Sequence, residues 1–128
     1  MKPIITENSI EELAIEILRS QGWEYVRGLS IAPGAERAER ESFEQVVLLD
    51  RLRKSVAIIN PHIPTDAQEA AIQKALRIYS PDLLHSNEEF HKQLIERIKI
   101  TYWQNSDERS HEVALIDFEN IRNNQFLV

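Results

Sequence analysis

Apolar residues in the stretch TENSIEELAIEILRSQ (residues 6–21) fall at Ile10, Leu13, Ile15, Ile17 and Leu18. That is near-helical spacing, and Glu11, Glu12 and Glu16 lie largely off the apolar face. Ser9 followed by Glu12 predicts a capping box at the start, and Gly22 predicts the C-terminal stop. Trp23–Val26 then reads as a strand, and GLSIAPGAE (28–36), with two glycines and a proline, as a loop. From about Ala38 to Ile59, Phe43, Val46, Val47, Leu49, Leu52, Val56 and Ile59 recur at three- and four-residue steps, which predicts a long helix. Pro61 ends it, because the residue before a proline avoids helical backbone. Two further capping boxes, Thr65 with Gln68 and Ser86 with Glu89, open predicted helices over about Asp66–Ile78 and from Ser86 to about Ile95.

The period then changes from near four to two. Ile98, Ile100 and Tyr102 alternate with Lys99, Thr101 and Trp103, the pattern of a half-buried strand. QNSDERS (104–110) is a polar turn, Glu112–Phe118 a second and more apolar strand, and Phe126 opens another. The expected architecture is α/β: the first helix against a mixed sheet of Trp23–Val26, Ile98–Trp103, Glu112–Phe118 and Phe126 onward. The helices between Ala38 and Ile95 would form an inserted layer. The last apolar run has no polar tail, so a longer protein is expected.

Composition narrows the functions open to this chain. It has 128 residues, 42% hydrophobic and 28% charged, which is ordinary for a globular domain. Fifteen basic residues against 21 acidic ones leave a net charge of −6, which argues against this segment alone being a strong phosphate-backbone binder. There is no cysteine, so disulfide and thiolate chemistry are absent. No run has signal-peptide or bilayer-spanning character, and a cytoplasmic location with no membrane partner is expected.

The residues that could carry chemistry are few. His62, His85, His91 and His111 share no ligand spacing, and there is neither a glycine-rich phosphate loop nor a nucleophile elbow. Asp117 and Glu119 lie two apart. On a continuous strand they would share a face and could hold a divalent cation; in a turn, Asp117 would accept backbone N–H groups instead. Asn120, Asn123 and Asn124 favour the turn. A nuclease of the acid-x-Lys type needs an acid two residues before a lysine. The positions two before Lys54, Lys74, Lys92 and Lys99 are Leu52, Ile72, Phe90 and Arg97, so that element is absent.

Three separated stretches are similar to the N-terminal region of the restriction (R) subunit of type I restriction–modification enzymes. They are TENSIEELAIEILRSQGWEYV (6–26), LLDRLRKSVAIINPHIP (48–64) and LIDFENIRNNQFLV (115–128), and SNEEFHKQLIERI (86–98) fits in order and spacing between them. One local departure is Ile121, where the family commonly has proline after the asparagine. The resemblance implies a partial PD-(D/E)XK restriction-endonuclease-like fold. Residues 1–128 would be the N-terminal part of the endonuclease domain: helix and strand at 6–27, helical insert at 38–96, hairpin and unfinished strand at 97–128. For the whole subunit it implies DNA cleavage with Mg2+, coupled to ATP-driven translocation, beside methylation (M) and specificity (S) subunits. The family's catalytic Asp and Glu-x-Lys would follow Val128, so this segment alone is expected to be inactive and to bind no cofactor.

The resemblance also singles out Glu11, which the pattern alone reads as a solvated acid in the first turn, where acids favour the helix dipole. In several nucleases of this fold, a Glu on the first core helix contacts the metal or its water. Glu11 lies eleven residues before Gly22, similar to that spacing in archaeal Holliday-junction resolvases. The competing reading, from a different class, is a non-catalytic acidic α/β interaction module whose helical insert docks a protein partner.

Overall fold

The computed structural model describes residues 4–78 and 81–128. Its regular elements are α1 (Glu7–Ser20), α2 (Leu49–Ile59), α3 (Thr65–Leu76), α4 (Leu83–Ile95), β1 (Ile98–Gln104) and β2 (Asp107–Val113), with short 3-10 turns at Gly28–Ile31 and Ile121–Asn123. The chain divides into two compact units: residues 1–46 with 125–128, and residues 47–124.

In the first unit, α1 begins one turn earlier than the Ser9–Glu12 pattern predicts. Thr6 is the N-cap, its hydroxyl accepting from the Ser9 N–H at 3.1 Å, while the Ser9 hydroxyl accepts from the Thr6 N–H at 3.0 Å. Threonine and serine thus satisfy both orphan donors, and Glu12 is left to accept from the Asn8 side chain at 3.0 Å. Gly22 ends the helix as expected: at φ +96° it lets the Trp23 N–H turn back to the Leu18 carbonyl at 3.1 Å. Ile15 and Leu18 are half-buried, and no residue of α1 is fully covered.

The expected strands at Trp23–Val26 and Phe126 pair in parallel. The Glu24 N–H donates to the Phe126 carbonyl at 2.9 Å, the Val128 N–H to the Glu24 carbonyl at 2.9 Å, and the Val26 N–H to the Val128 carbonyl at 3.0 Å. The Trp23 ring lies 5.2 Å from that of Phe126, and Gln125 Nε2 donates to the Glu24 carboxylate at 3.1 Å.

Residues 38–48 do not continue a helix, despite their apolar spacing. Local side-chain bonds take the backbone groups a helix would need: Arg40 Nε donates to the Gln45 carbonyl at 2.9 Å, its Nη2 to the Phe43 carbonyl, and the Glu41 N–H to Gln45 Oε1 at 2.8 Å. Phe43 and Val46, which the pattern assigns to a buried face, are exposed.

The second unit contains the core. Val56 of α2, Ala71, Ile72 and Ala75 of α3, Ile98 of β1 and Val113 of β2 form one buried cluster, with Leu49, Leu52, Ile63, Ile100 and Leu115 packed around it. The alanines at 67, 71 and 75 recur every fourth residue, so α3 offers a narrow, smooth face to its neighbours. Across the exposed side, Arg53 of α2 grips the Glu69 carboxylate of α3 with two bonds, Nε to Oε2 at 3.0 Å and Nη2 to Oε1 at 2.9 Å. This bidentate pairing holds the Glu69 carboxyl below its ordinary range.

Helices α3 and α4 start differently from the predicted boxes. Pro64 precedes α3 without a side-chain cap, while Gln68 Nε2 donates to the Asn60 and Ile63 carbonyls at 3.0 and 2.9 Å. Asp82 caps α4 by accepting from the Leu84 N–H at 3.0 Å, so α4 begins ahead of Ser86.

The hairpin is real, but its second strand lies earlier in sequence than expected. Ile98 pairs with Val113 and Gln104 with Asp107, which leaves only Asn105 and Ser106 in the turn. Both have positive φ, +52° and +67°, the backbone of a two-residue hairpin turn whose twist matches its strands. That short turn consumes residues 107–113 as strand, so Ala114–Phe118 leaves the ladder and forms a corner. The expected mixed sheet of four strands is therefore replaced, among the described residues, by a two-stranded antiparallel sheet and the short parallel pairing of Glu24 with Leu127.

Candidate functional site

The corner that follows β2 is closely hydrogen-bonded. Two asparagines far apart in sequence build it. Asn60, buried at 5% exposure, ends α2. Its Nδ2 donates to the Val56 carbonyl and to the Ala114 carbonyl, both at 2.8 Å, and its Oδ1 accepts from the Ala114 N–H at 2.8 Å. One amide thus occupies both backbone groups of Ala114, as a neighbouring strand would, at the point where the ladder stops.

Three residues on, Asp117 is wrapped by its own loop. Oδ1 accepts from the Glu119 N–H at 3.0 Å and the Asn120 N–H at 2.8 Å, and Oδ2 from Asn123 Nδ2 at 2.9 Å. Asn124 copies what Asn60 does: its Oδ1 accepts from the Asp117 N–H at 2.8 Å, and its Nδ2 donates to the Asp117 carbonyl at 2.8 Å. The Asn120 N–H is the main cause that holds the Asp117 carboxyl below the usual aspartate range. Asn123, the Glu119 N–H and the Arg97 charge add to it, and partial desolvation opposes them.

A carboxyl with a lowered native pKa stabilises the fold above its unfolded pKa, and that stability is lost as pH falls through the lowered native value. Asp117→Asn is therefore expected to lower stability at neutral pH and to flatten the acid limb below about pH 4, with up to about one proton fewer taken up on unfolding. Denaturant midpoints measured from pH 7 down to pH 2 for both proteins test this. An acid limb of unchanged slope would contradict it.

This geometry decides between the two sequence readings of Asp117 and Glu119. Asp117 and Glu119 do not lie on a continuous strand, Glu119 is exposed, and both Asp117 oxygens already accept from the loop. Among the described residues no group of three or more His, Cys, Asp or Glu side chains could hold a metal ion. Asp117 and Glu119 therefore do not form the shared-face cation pair that a continuous strand would give.

Glu11 lies in the second turn of α1 and is exposed. In the same unit Glu12, Ile15, Glu16, Arg19 and Tyr25 line a shallow hollow of about 380 Å³, with the Arg19 guanidinium 5.9 Å from the Tyr25 ring centre. Glu11 is not among the residues that line it. His62, His85 and His91 are exposed, while His111 stacks on Tyr102 with ring centres 5.0 Å apart. Sequence reasoning treats Asn60 only as a helix end. Its polar side chain before a proline, at the end of an apolar helix face, is the signal that could have marked it as a bridge.

Comparison with known proteins places this arrangement. A family model described as type I restriction enzyme R protein N terminus matches residues 4–128. The type I restriction enzyme HindI endonuclease subunit of Haemophilus influenzae is 32% identical over 124 residues, which cover 97% of this chain and 12% of that protein. The putative type I restriction enzyme MjaIXP endonuclease subunit of Methanocaldococcus jannaschii is 33% identical over 119 residues, covering 93% of this chain and 11% of that protein. The chain thus spans about an eighth of the length of these relatives. No solved structure matches. No helix among the described residues is long and apolar enough to cross a membrane. Matched from Ile4 to its last residue, through Asn60 and the Asp117 corner, the chain belongs to the family of type I restriction enzyme R protein N termini.

Proposed function

We propose that this chain is the N-terminal part of the DNA-cleaving subunit of a type I restriction–modification system, acting in the cytoplasm on unmethylated foreign DNA. The observation that carries the reading is the family match over residues 4–128, with relatives named as endonuclease subunits. In this reading the whole subunit cleaves phosphodiester bonds with Mg2+, translocates DNA by hydrolysing ATP, and works beside methylation and specificity subunits. The α/β elements support a PD-(D/E)XK-like framework: an acid-rich helix leads into a strand at Glu24, which pairs in parallel with Leu127.

The metal-binding Asp and the Glu-x-Lys belong, in this reading, to sequence that follows Val128. What Mg2+ supplies there is an activated water and neutralisation of charge on the phosphate. The role of residues 1–128 is to carry the framework and, through α1, to offer Glu11 to that site. Phosphate binding for ATP likewise lies elsewhere, since this chain has no glycine-rich loop.

The test is cleavage of an unmethylated plasmid by the full-length protein with its methylation and specificity subunits, Mg2+ and ATP. Residues 1–128 alone are expected to leave the plasmid intact. Glu11→Ala in the full-length protein is expected to reduce cleavage by roughly a hundredfold, a typical loss for a group acting at the reacting centre, with ATP hydrolysis unchanged. Undiminished cutting by that variant removes Glu11 from the site. Absence of any cutting by the wild-type assembly overturns the reading.

A further inference from the structure

The charges of this acidic chain are unevenly placed. Of the four lysines among the described residues, three (Lys74, Lys92 and Lys99) line one cleft of about 240 Å³, and Arg97 joins them. The cleft lies where the end of α3, the end of α4 and the first residues of β1 converge in the second unit. All four cations are exposed; among the described residues Lys74, Lys92 and Lys99 form no ion pair within 4 Å, while the Arg97 charge also acts on Asp117. Glu89 and Glu96 also line the cleft, so four positive side chains face two negative ones, with net charge opposite to that of the whole chain.

Helix ends account for the positions of two of these lysines but not for their convergence. Lys74 and Lys92 occupy the last turns of α3 and α4, where a cation favours the exposed carbonyls. Lys74 Nζ reaches further and donates to the Lys99 backbone carbonyl at 3.3 Å, so its ammonium is held against the first residues of β1. Gln93, which lines the same cleft, has a buried Oε1 with no hydrogen-bond partner among the described residues. That oxygen can only accept, so it takes no part in holding an anion, and the cleft's capacity for one rests on its four cations.

We propose that this cleft seats a phosphodiester group of a nucleic-acid backbone. Point-charge lysines with one guanidinium read phosphate and not base sequence, so the seat fixes the position of the strand without selecting it. A local excess of cations in the cleft reconciles DNA contact there with a net charge of −6 for the whole chain. The proposal rests on the DNA-cleaving reading for the identity of its ligand, and on the cleft for its location.

The experiment is anisotropy of a labelled duplex titrated with the full-length protein over a range of salt concentrations. Lys92→Gln with Lys99→Gln is expected to reduce the slope of log affinity against log salt by roughly 1–2 and to weaken binding roughly tenfold or more at about 0.1 M salt. The loss should be equal for unrelated duplex sequences. Glu89→Gln is expected to change affinity in the opposite direction. Lys54→Gln, an exposed lysine on α2 outside the cleft, should leave the slope unchanged; an equal drop there would make the effect one of total charge and overturn the proposal. A double variant that binds like wild type also overturns it, and leaves the DNA-cleaving reading intact. A wild-type protein that binds no duplex removes that reading and this proposal together. Saturable binding of inorganic phosphate that the double variant loses, with duplex binding unchanged, would assign the cleft to a free anion and reject the backbone seat.

Discussion

Replacing Asn60 with Ala is expected to lower the unfolding free energy by about 2–4 kcal/mol, read from denaturant midpoints with the m-value unchanged. Truncation leaves the N–H and carbonyl of Ala114 without the amide that occupies them, and Ala114 is itself buried at 9% exposure. Each orphaned buried group costs about 1–3 kcal/mol, and the two share one partner, so the sum falls short of simple addition. The Val56 carbonyl loses its Asn60 side-chain donor but keeps the Asn60 backbone N–H at 2.9 Å, so it adds little.

Asn60→Asp separates the contributions. It keeps an acceptor for the Ala114 N–H but turns an oxygen toward the Val56 and Ala114 carbonyls. The Asp variant should therefore be at least as unstable as Ala at neutral pH and recover in part when acid protonates it. Because Ala114 leads into Asp117, amide resonances of Asn123 and Asn124 should shift in both variants. A loss below about 0.5 kcal/mol for Asn60→Ala, or unmoved resonances, would contradict a bridging role.

The second large effect belongs to Ile72. At 1% exposure it sits among Val56, Ala71, Ala75, Ile98 and Val113, where both helices and both strands of the core meet. Ile72→Ala removes three carbons and leaves a cavity, at a cost of about 2–5 kcal/mol. The narrow face built from Ala67, Ala71 and Ala75 makes the upper half of that range the expectation, since small side chains have little freedom to fill the space. Ile72→Val should cost about 0.5–1.5 kcal/mol. Equal effects of the two substitutions would show that the site collapses and that the core is looser than its burial implies. For a domain of marginal stability, either Ile72→Ala or Asn60→Ala alone is a large fraction of the total.

Much of the local structure was legible in the residue pattern. Alternation from Ile98 to Trp103 identifies a strand, and Gly22 marks a helix end, because period and backbone preference act over a few residues. Asp117 was legible as a turn former from the asparagines around it, and its bonds to residues 119, 120 and 123 are of that short range. Capping residues were harder. Thr6 and Asp82 replace the predicted Ser9 and Ser86, since several polar residues near a helix start compete, and the choice depends on where the chain enters.

Asp117 also illustrates what a motif leaves open. Two acids spaced by two are compatible with a cation site or with a turn, and the difference is whether their oxygens are already occupied. Saturation of both Asp117 oxygens by loop donors answers that for this corner. The basic cleft went unseen in the sequence for a related reason. Lys74 lies 25 residues from Lys99 along the chain, and only the packing of α3 beside β1 brings its ammonium to the Lys99 carbonyl.

By itself the sequence determined the helices around Ile10, Val56, Ile72 and Phe90, the hairpin, and the glycine and aspartate turns, because those follow from side-chain periodicity and local backbone preference. Tertiary structure decided the rest. The two-residue turn at Asn105 and Ser106 set the hairpin register and so released Ala114–Phe118 from the sheet. Local bonds of Arg40 and Gln45 kept residues 38–48 out of a helix that their apolar spacing favours. The pairing of Glu24 with Leu127 and the 54-residue reach from Asn60 to Ala114 depend on chain segments that no local pattern relates. Hydrogen bonds between such distant segments form only after the core has brought them together, so they are a property of the packed chain and not of any stretch within it.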